Sequence, residues 1–283
     1  MMNCLLRTIL ISSSMLTCPC VRAMQPDTLP APRTLVTTVQ TVEVGGSNIL
    51  DTYLSPRNYT GMELGYGQQW FRQRVDRKWS SSMRVNVNMQ YLKANTSDDN
   101  RELGALLLFN YMWRHALLHA NALKGNWLVD GGMGFTAQAG VLYNMQNGNN
   151  PAQARLALQG VADVRVAYQC AALPLSVSWQ VQAPLAGLMF SPNYGQSYYE
   201  IFARGNYDHN VVFTWPVNMP SLWHQLLVAY TLHGTTFCVG YQGNYAQYKV
   251  NKLKYHHYGN NLVVGIVRHF SLARLKDSKV MVY

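Results

Sequence analysis

Between Trp79 and Tyr91 the side chains sort by parity. Trp79, Met83, Val85, Val87, Met89 and Tyr91 fall on one face, with Ser81 its one weak member. Ser80, Ser82, Arg84, Asn86, Asn88 and Gln90 fall on the other. Successive side chains of a strand point to opposite faces. This stretch is therefore a strand with one apolar face, bounded by rings, and one wholly polar face. A wall strand of a membrane barrel has this pattern: apolar toward lipid, wet toward the lumen, aromatic at the two interfaces.

Composition agrees. Charged residues are only 13% and aromatics 12% of the 283 residues. Beyond the N-terminal leader no run approaches the roughly 18 consecutive apolar residues of a membrane helix. The longest there is Ala105 to Phe109. A soluble β-sandwich also alternates and is the competing architecture. The net charge is +10, falling to +8 once Arg7 and Arg22 are removed with a leader. The basic residues are scattered rather than clustered, which argues against nucleic acid and for anionic lipid headgroups.

Residues 1–23 read as an export signal: Arg7, an apolar run from Thr8 to Thr17, and small residues around Val21-Arg22-Ala23. Cys4, Cys18 and Cys20 lie within it. Cys170 and Cys238 remain, either bridged or as two free thiols. Residues 24–59 read as a lead-in, with Thr34 to Val44 either periplasmic or an added strand. Residues 60–271 form the barrel, and 272–283 a periplasmic tail.

Within the barrel, alternation marks strands led by Met62, Trp79, Leu103, Trp127, Leu156 and Leu173. The pair 153–170 and 173–182 makes a hairpin with Pro174 at a strand start. Further strands are expected near 196–206, 221–232, 236–249 and 259–271. Asn210 to Pro220 is a loop or a short strand. The expectation is a closed antiparallel outer-membrane barrel of ten to twelve strands, an even number being favoured.

The polar faces carry Glu63, Arg84, Glu102, Arg114, Asp130, Asp163, Arg165, Glu200 and Arg204. Charges in a narrow lumen must pair or be hydrated. A lumen held by ion pairs is the simpler reading. A narrow pore, or a pocket for a small polar or anionic ligand, is the sharper one, with inward Gly65, Gly67, Gly104, Gly132 and Gly134 leaving room.

No constellation adds a cofactor or metal. His115 and His119 would lie about 13 Å apart on a strand. Adjacent His256 and His257 point to opposite sides, within an aromatic group at an interface or loop base. Asp98, Asp99, Asn100 and Glu102 lack the spacing of a calcium loop. His269 and Ser271 share a strand face, and their spacing resembles the His-x-Ser of outer-membrane phospholipase A. Against catalysis, the pair faces inward at the chain's end, and no orienting Asn follows.

Two stretches begin Ser-Pro and proceed through Tyr and Gly to a Glu: Leu54-Ser55-Pro56-Arg57-Asn58-Tyr59-Thr60-Gly61, leading to Glu63, and Phe190-Ser191-Pro192-Asn193-Tyr194-Gly195, leading to Glu200. With Val239-Gly240-Tyr241-Gln242-Gly243-Asn244, Lys252-Leu253-Lys254-Tyr255-His256 and Val267-Arg268-His269-Phe270, they resemble an uncharacterised domain family of exported proteins from Bacteroides-type bacteria. The resemblance covers roughly residues 50 to 271. It implies export and an outer-membrane β fold, and no activity. The functional expectation is a binding, structural or narrow-pore barrel with outer-membrane lipid around it. A phospholipase-like hydrolase and a soluble periplasmic β protein are the alternatives.

Overall fold

The computed structural model describes residues 34–74, 77–96 and 99–271. The expected signal segment and the tail after Ser271 lie outside them. Eleven strands follow one another: β1 (Leu35–Asp51), β2 (Asn58–Gln73), β3 (Trp79–Ala94), β4 (Arg101–Ala122), β5 (Gly125–Asn144), β6 (Ala152–Cys170), β7 (Leu175–Phe190), β8 (Val211–Thr214), β9 (Ser221–Leu232), β10 (Thr235–Val250) and β11 (Leu253–Ser271). One short helix, α1 (Tyr198–Phe202), precedes β8.

Every strand pairs antiparallel with its neighbours, and β11 pairs with β1 along its length, so the sheet closes. Ten strands make the wall. The eleventh, β8, shares a place with β9: β8 pairs with β7 at Gly187–Phe190, and β9 pairs with β7 at Leu175–Gln182. Between them the chain leaves the β7 ladder at Trp215 to Pro220, where Pro216 and Pro220 cannot donate. Asn218 and Pro220 carbonyls still accept from Lys249 and Gln247 of β10.

The pairing fixes the barrel's dimensions. Followed from pair to pair, Leu35, Gln73, Ser80, Arg114, Gly132, Asp163, Gln182, Trp223, Asn244 and Gly259 lead back to β1 at Ser47, twelve residues beyond the start. Twelve residues of stagger over ten strands tilt the strands by about 40° and set a wall radius of about 10 Å. Long side chains from opposite walls therefore meet at the axis.

The parity read in β3 is the parity of the wall. Met89 is 62% exposed and its neighbour Asn88 1%. Val42, Leu64, Leu107, Leu158, Leu226, Val239 and Leu262 face outward on other strands. Trp79, Tyr168 and Tyr230 ring the end where β1 begins and β11 ends. Tyr91, Tyr143 and Tyr258 ring the other.

Two expectations need correction. The wall begins at Leu35 and not at residue 60: of the two readings of Thr34 to Val44 the added strand holds, because Thr37, Val39, Thr41 and Glu43 alternate with Val42 and Val44 as a wall strand must. The strand expected at 196–206 is instead the loop carrying α1. Ser197 accepts from the Glu200 amide and Glu200 accepts from the Ser197 amide, a capping box that starts a helix.

Candidate functional site

Side chains from nearly every strand converge in the middle of the lumen. Arg114 on β4 donates to both carboxylate oxygens of Asp163 on β6 and, at 2.7 Å, to Ser82 Oγ on β3. Arg165 on β6 donates through Nε and Nη2 to Asp130 Oδ2 on β5. Gln180 and Gln182 of β7 reach across to Asp163 at 2.6 and 2.8 Å. Glu43 accepts from Asn86 at 2.8 Å and Gln242 at 2.7 Å. Glu63 meets His257 Nε2 at 2.8 Å and accepts from Asn261. Isolated charges here would be costly; Asp163, Glu43 and Glu63 each have at least two partner residues, and Asp130 is held by Arg165.

Seven of the nine polar-face residues picked out by alternation meet in the lumen: Glu63, Arg84, Glu102, Arg114, Asp130, Asp163 and Arg165 are all buried. Glu200 and Arg204 do not. They sit on the exposed side of the α1 loop, where Ser197 holds the Glu200 carboxyl below its ordinary range through its amide and hydroxyl. Glu43, Asp51, Arg155 and His257 were missed. The parity of β1 places the first two inward once the added-strand reading of that stretch is extended to Asp51. His257 follows from the parity of β11, with His256 turned the other way onto Tyr258. The inward glycines do not leave empty space. A Cβ on Gly65 would come within 2.5 Å of Asn88 Oδ1, and one on Gly67 within 2.7 Å of Thr41 Oγ1.

Beyond this layer the two ends differ. Toward the long loops the lumen is filled by Ile49, Leu54, Tyr59, Leu92, Leu142, Met189, Met219 and Tyr248. Tyr59 and Leu92 are completely buried. Tyr198 of α1 donates to Gln153 Oε1 and accepts from the Ala154 amide, bringing the buried Ile201 down with it. Toward the end where β1 begins and β11 ends the lumen opens into a cavity of about 270 Å³. Val39, Phe71, Leu227, Ala229 and Val267 form its apolar wall, and Gln69, Gln180, Gln225, Ser178 and Arg165 add polar groups.

The sequence matches, over residues 5–277, the family described as "Protein of unknown function (DUF3316)". The chain belongs to that family. No curated protein sequence matches the DUF3316 chain. Among solved structures it is similar to the outer membrane protease OmpT from Escherichia coli, at 9% identity, with 86% of this chain and 99% of that one covered and a TM-score of 0.46. It is also similar to an outer membrane channel from Pseudomonas putida F1, at 10% identity, 88% and 100% coverage and a TM-score of 0.35. Ail, the attachment invasion locus protein of Yersinia pestis, matches at 8% identity, 82% and 98% coverage and a TM-score of 0.29. Likenesses this distant transfer no activity to the DUF3316 barrel.

Its remaining candidates fall into place. His269 lines the open cavity with Nδ1 3.2 Å from Thr37 Oγ1. The Ser271 side chain lies outside the described residues. Cys170 and Cys238 are free, Cys238 on the cavity wall. His115 packs edge-on against Trp79 on the outer face. Asp99 pairs with Arg101 at 2.8 Å in an exposed turn, and Asp98 lies outside the described residues. Among the described residues no group of three or more His, Cys, Asp or Glu is placed to hold a metal.

Proposed function

We propose that this DUF3316 protein is an integral outer-membrane barrel that takes a ligand into a blind pocket and does not conduct. Membrane insertion is supported by the outer face, where Met62, Met89, Leu158 and Leu262 stand exposed between two aromatic rings. In water so much contiguous apolar surface would drive aggregation. Outer-membrane barrels carry long loops outside and short turns in the periplasm. The end bearing the 191–210 excursion therefore faces out, and the 270 Å³ cavity opens inward.

The observation that carries the reading is the apolar plug around Tyr59 and Leu92. Packed aliphatic and aromatic side chains give ions no hydrated path. The open cavity has the composition of a ligand site: apolar walls with a few convergent polar groups. Purified protein in planar bilayers is expected to give no conductance above background. Regular single-channel steps from the wild type would end this reading. An unboiled sample is expected to migrate faster on a gel than a boiled one, and recovery of the folded protein without detergent would point to a soluble barrel.

A further inference from the structure

One buried cation of the lumen lacks what its counterparts have. Arg114 and Arg165 are each held by an aspartate, and Arg155 lies 3.7 Å from Asp51. Arg84 is 8% exposed, yet its Nε and Nη1 have no hydrogen-bond partner. Its Nη2 makes one long bond, 3.4 Å to Gln182 Oε1. The guanidinium stacks on Trp223, with Cζ 3.6 Å from the ring centroid. Stacking fixes the plane of the group and leaves Nε and Nη1 on its edge buried without a protein acceptor. The nearby carboxylates are committed elsewhere: Glu43 to Asn86 and Gln242, Asp163 to Arg114, Gln180 and Gln182.

Arg84 lines a cavity of about 90 Å³. Arg155 lines it too, with the neutral polar groups of Gln138, Asn244 and Ser221, and Ser221 Oγ is itself without a partner. No carboxylate contributes to this wall. In the polar layer beside it Glu43, Glu63, Asp130 and Asp163 stand among the arginines; the larger cavity also lacks a carboxylate, but its one arginine, Arg165, is held by Asp130. Two guanidiniums and unpaired donors, without an acid, attract negative charge. The volume suffices for a few waters or for one small anion.

We propose that this cavity is a binding site for a small anion, an inorganic ion or a short carboxylate, held by Arg84 and flanked by Arg155. The probes are sodium bromide and sodium acetate, with the full chain in detergent and in crystals. A bromide soak is expected to give an anomalous peak in this cavity within hydrogen-bond reach of the Arg84 guanidinium. At constant ionic strength, replacing a bulky buffer anion by bromide or acetate is expected to raise the unfolding midpoint by about 3 °C. Arg84→Gln should lose both responses. Gln138→Glu, which brings an acid to the cavity wall, should lose them while unfolding no earlier than the wild type. It decides the matter alone if Arg84→Gln fails to fold. Water in place of bromide, a bromide peak without a thermal response (an adventitious ion only), or equal responses in wild type and folded variants would overturn the proposal.

Discussion

The two ends of the lumen have walls of the same kind and opposite outcomes. Val39, Phe71, Leu227 and Val267 at one end are as apolar as Ile49, Leu92, Leu142 and Val250 at the other. One set surrounds an open cavity and the other is packed shut. The difference lies in the connections. Toward the open end, β4–β5 and β9–β10 are joined through Leu123-Lys124 and His233-Gly234, too short to cross a barrel about 20 Å wide. These residues have positive φ, as tight hairpins demand. Toward the closed end, the stretch between β7 and β8 is long enough to carry α1 and Ile201 over the mouth, while Leu54 enters from the β1–β2 turn. Whether a narrow barrel is plugged is thus decided by loop length as much as by wall composition.

The contrast can be broken first at the polar layer between the two ends. Asp163→Ala would strand Arg114, which is 1% exposed, at a cost of about 3–5 kcal/mol. Urea unfolding in detergent measures this, and a variant as stable as wild type would show that the layer does not hold the walls together. The next effect sharpens the comparison directly. Leu92→Ala in the plug should cost about 2–5 kcal/mol, and Leu227→Ala on the cavity wall about 1 kcal/mol, because its neighbourhood is already open. Equal costs would mean that the open end is packed as well.

A smaller and purely kinetic contrast concerns the two thiols. Cys170 ends β6 beside the turn, whereas Cys238 is 3% exposed on the cavity wall. A bulky maleimide should label Cys170 alone, with Cys238 reached only by small thiol reagents entering through the mouth. Mass spectrometry of the labelled protein distinguishes the two sites. The smallest effect is on α1. The Glu200 carboxyl is held below its ordinary 4.5 by Ser197. A depressed folded-state pKa stabilises fully above the ordinary value and is lost as pH falls through the folded one. Amide exchange of the 198–203 segment should accelerate as pH drops below about 4.5, beyond the intrinsic trend, and Glu200→Gln should remove that pH dependence.

Much of the wall was readable from parity because each side chain there has only two environments, and a one-residue slip would exchange them. That is why Arg84, Asp130 and Asp163 could be assigned to the lumen before any contact was known. Parity failed where no ladder exists. The Ser-Pro-x-Tyr-Gly stretch before Glu200 looked like the one before Glu63, yet a capping box and a five-residue helix follow it. At β1 it left an added strand and a periplasmic segment both open, because Gly45 and Gly46, together with Gln40, blur the apolar face.

Alternation, few charges and many rings are local properties, and by themselves they determined a sheet with one face for lipid and one for polar groups. Partner choice is not local. That Arg114 meets Asp163 while Arg84 stacks on Trp223 follows from a stagger of twelve residues around ten strands, which sets who faces whom across the axis. The same holds for the plug, which exists because one long connection folds back over the mouth. Only the closed tertiary structure decides such contacts, since they join strands far apart in the chain at a distance fixed by the radius of the barrel.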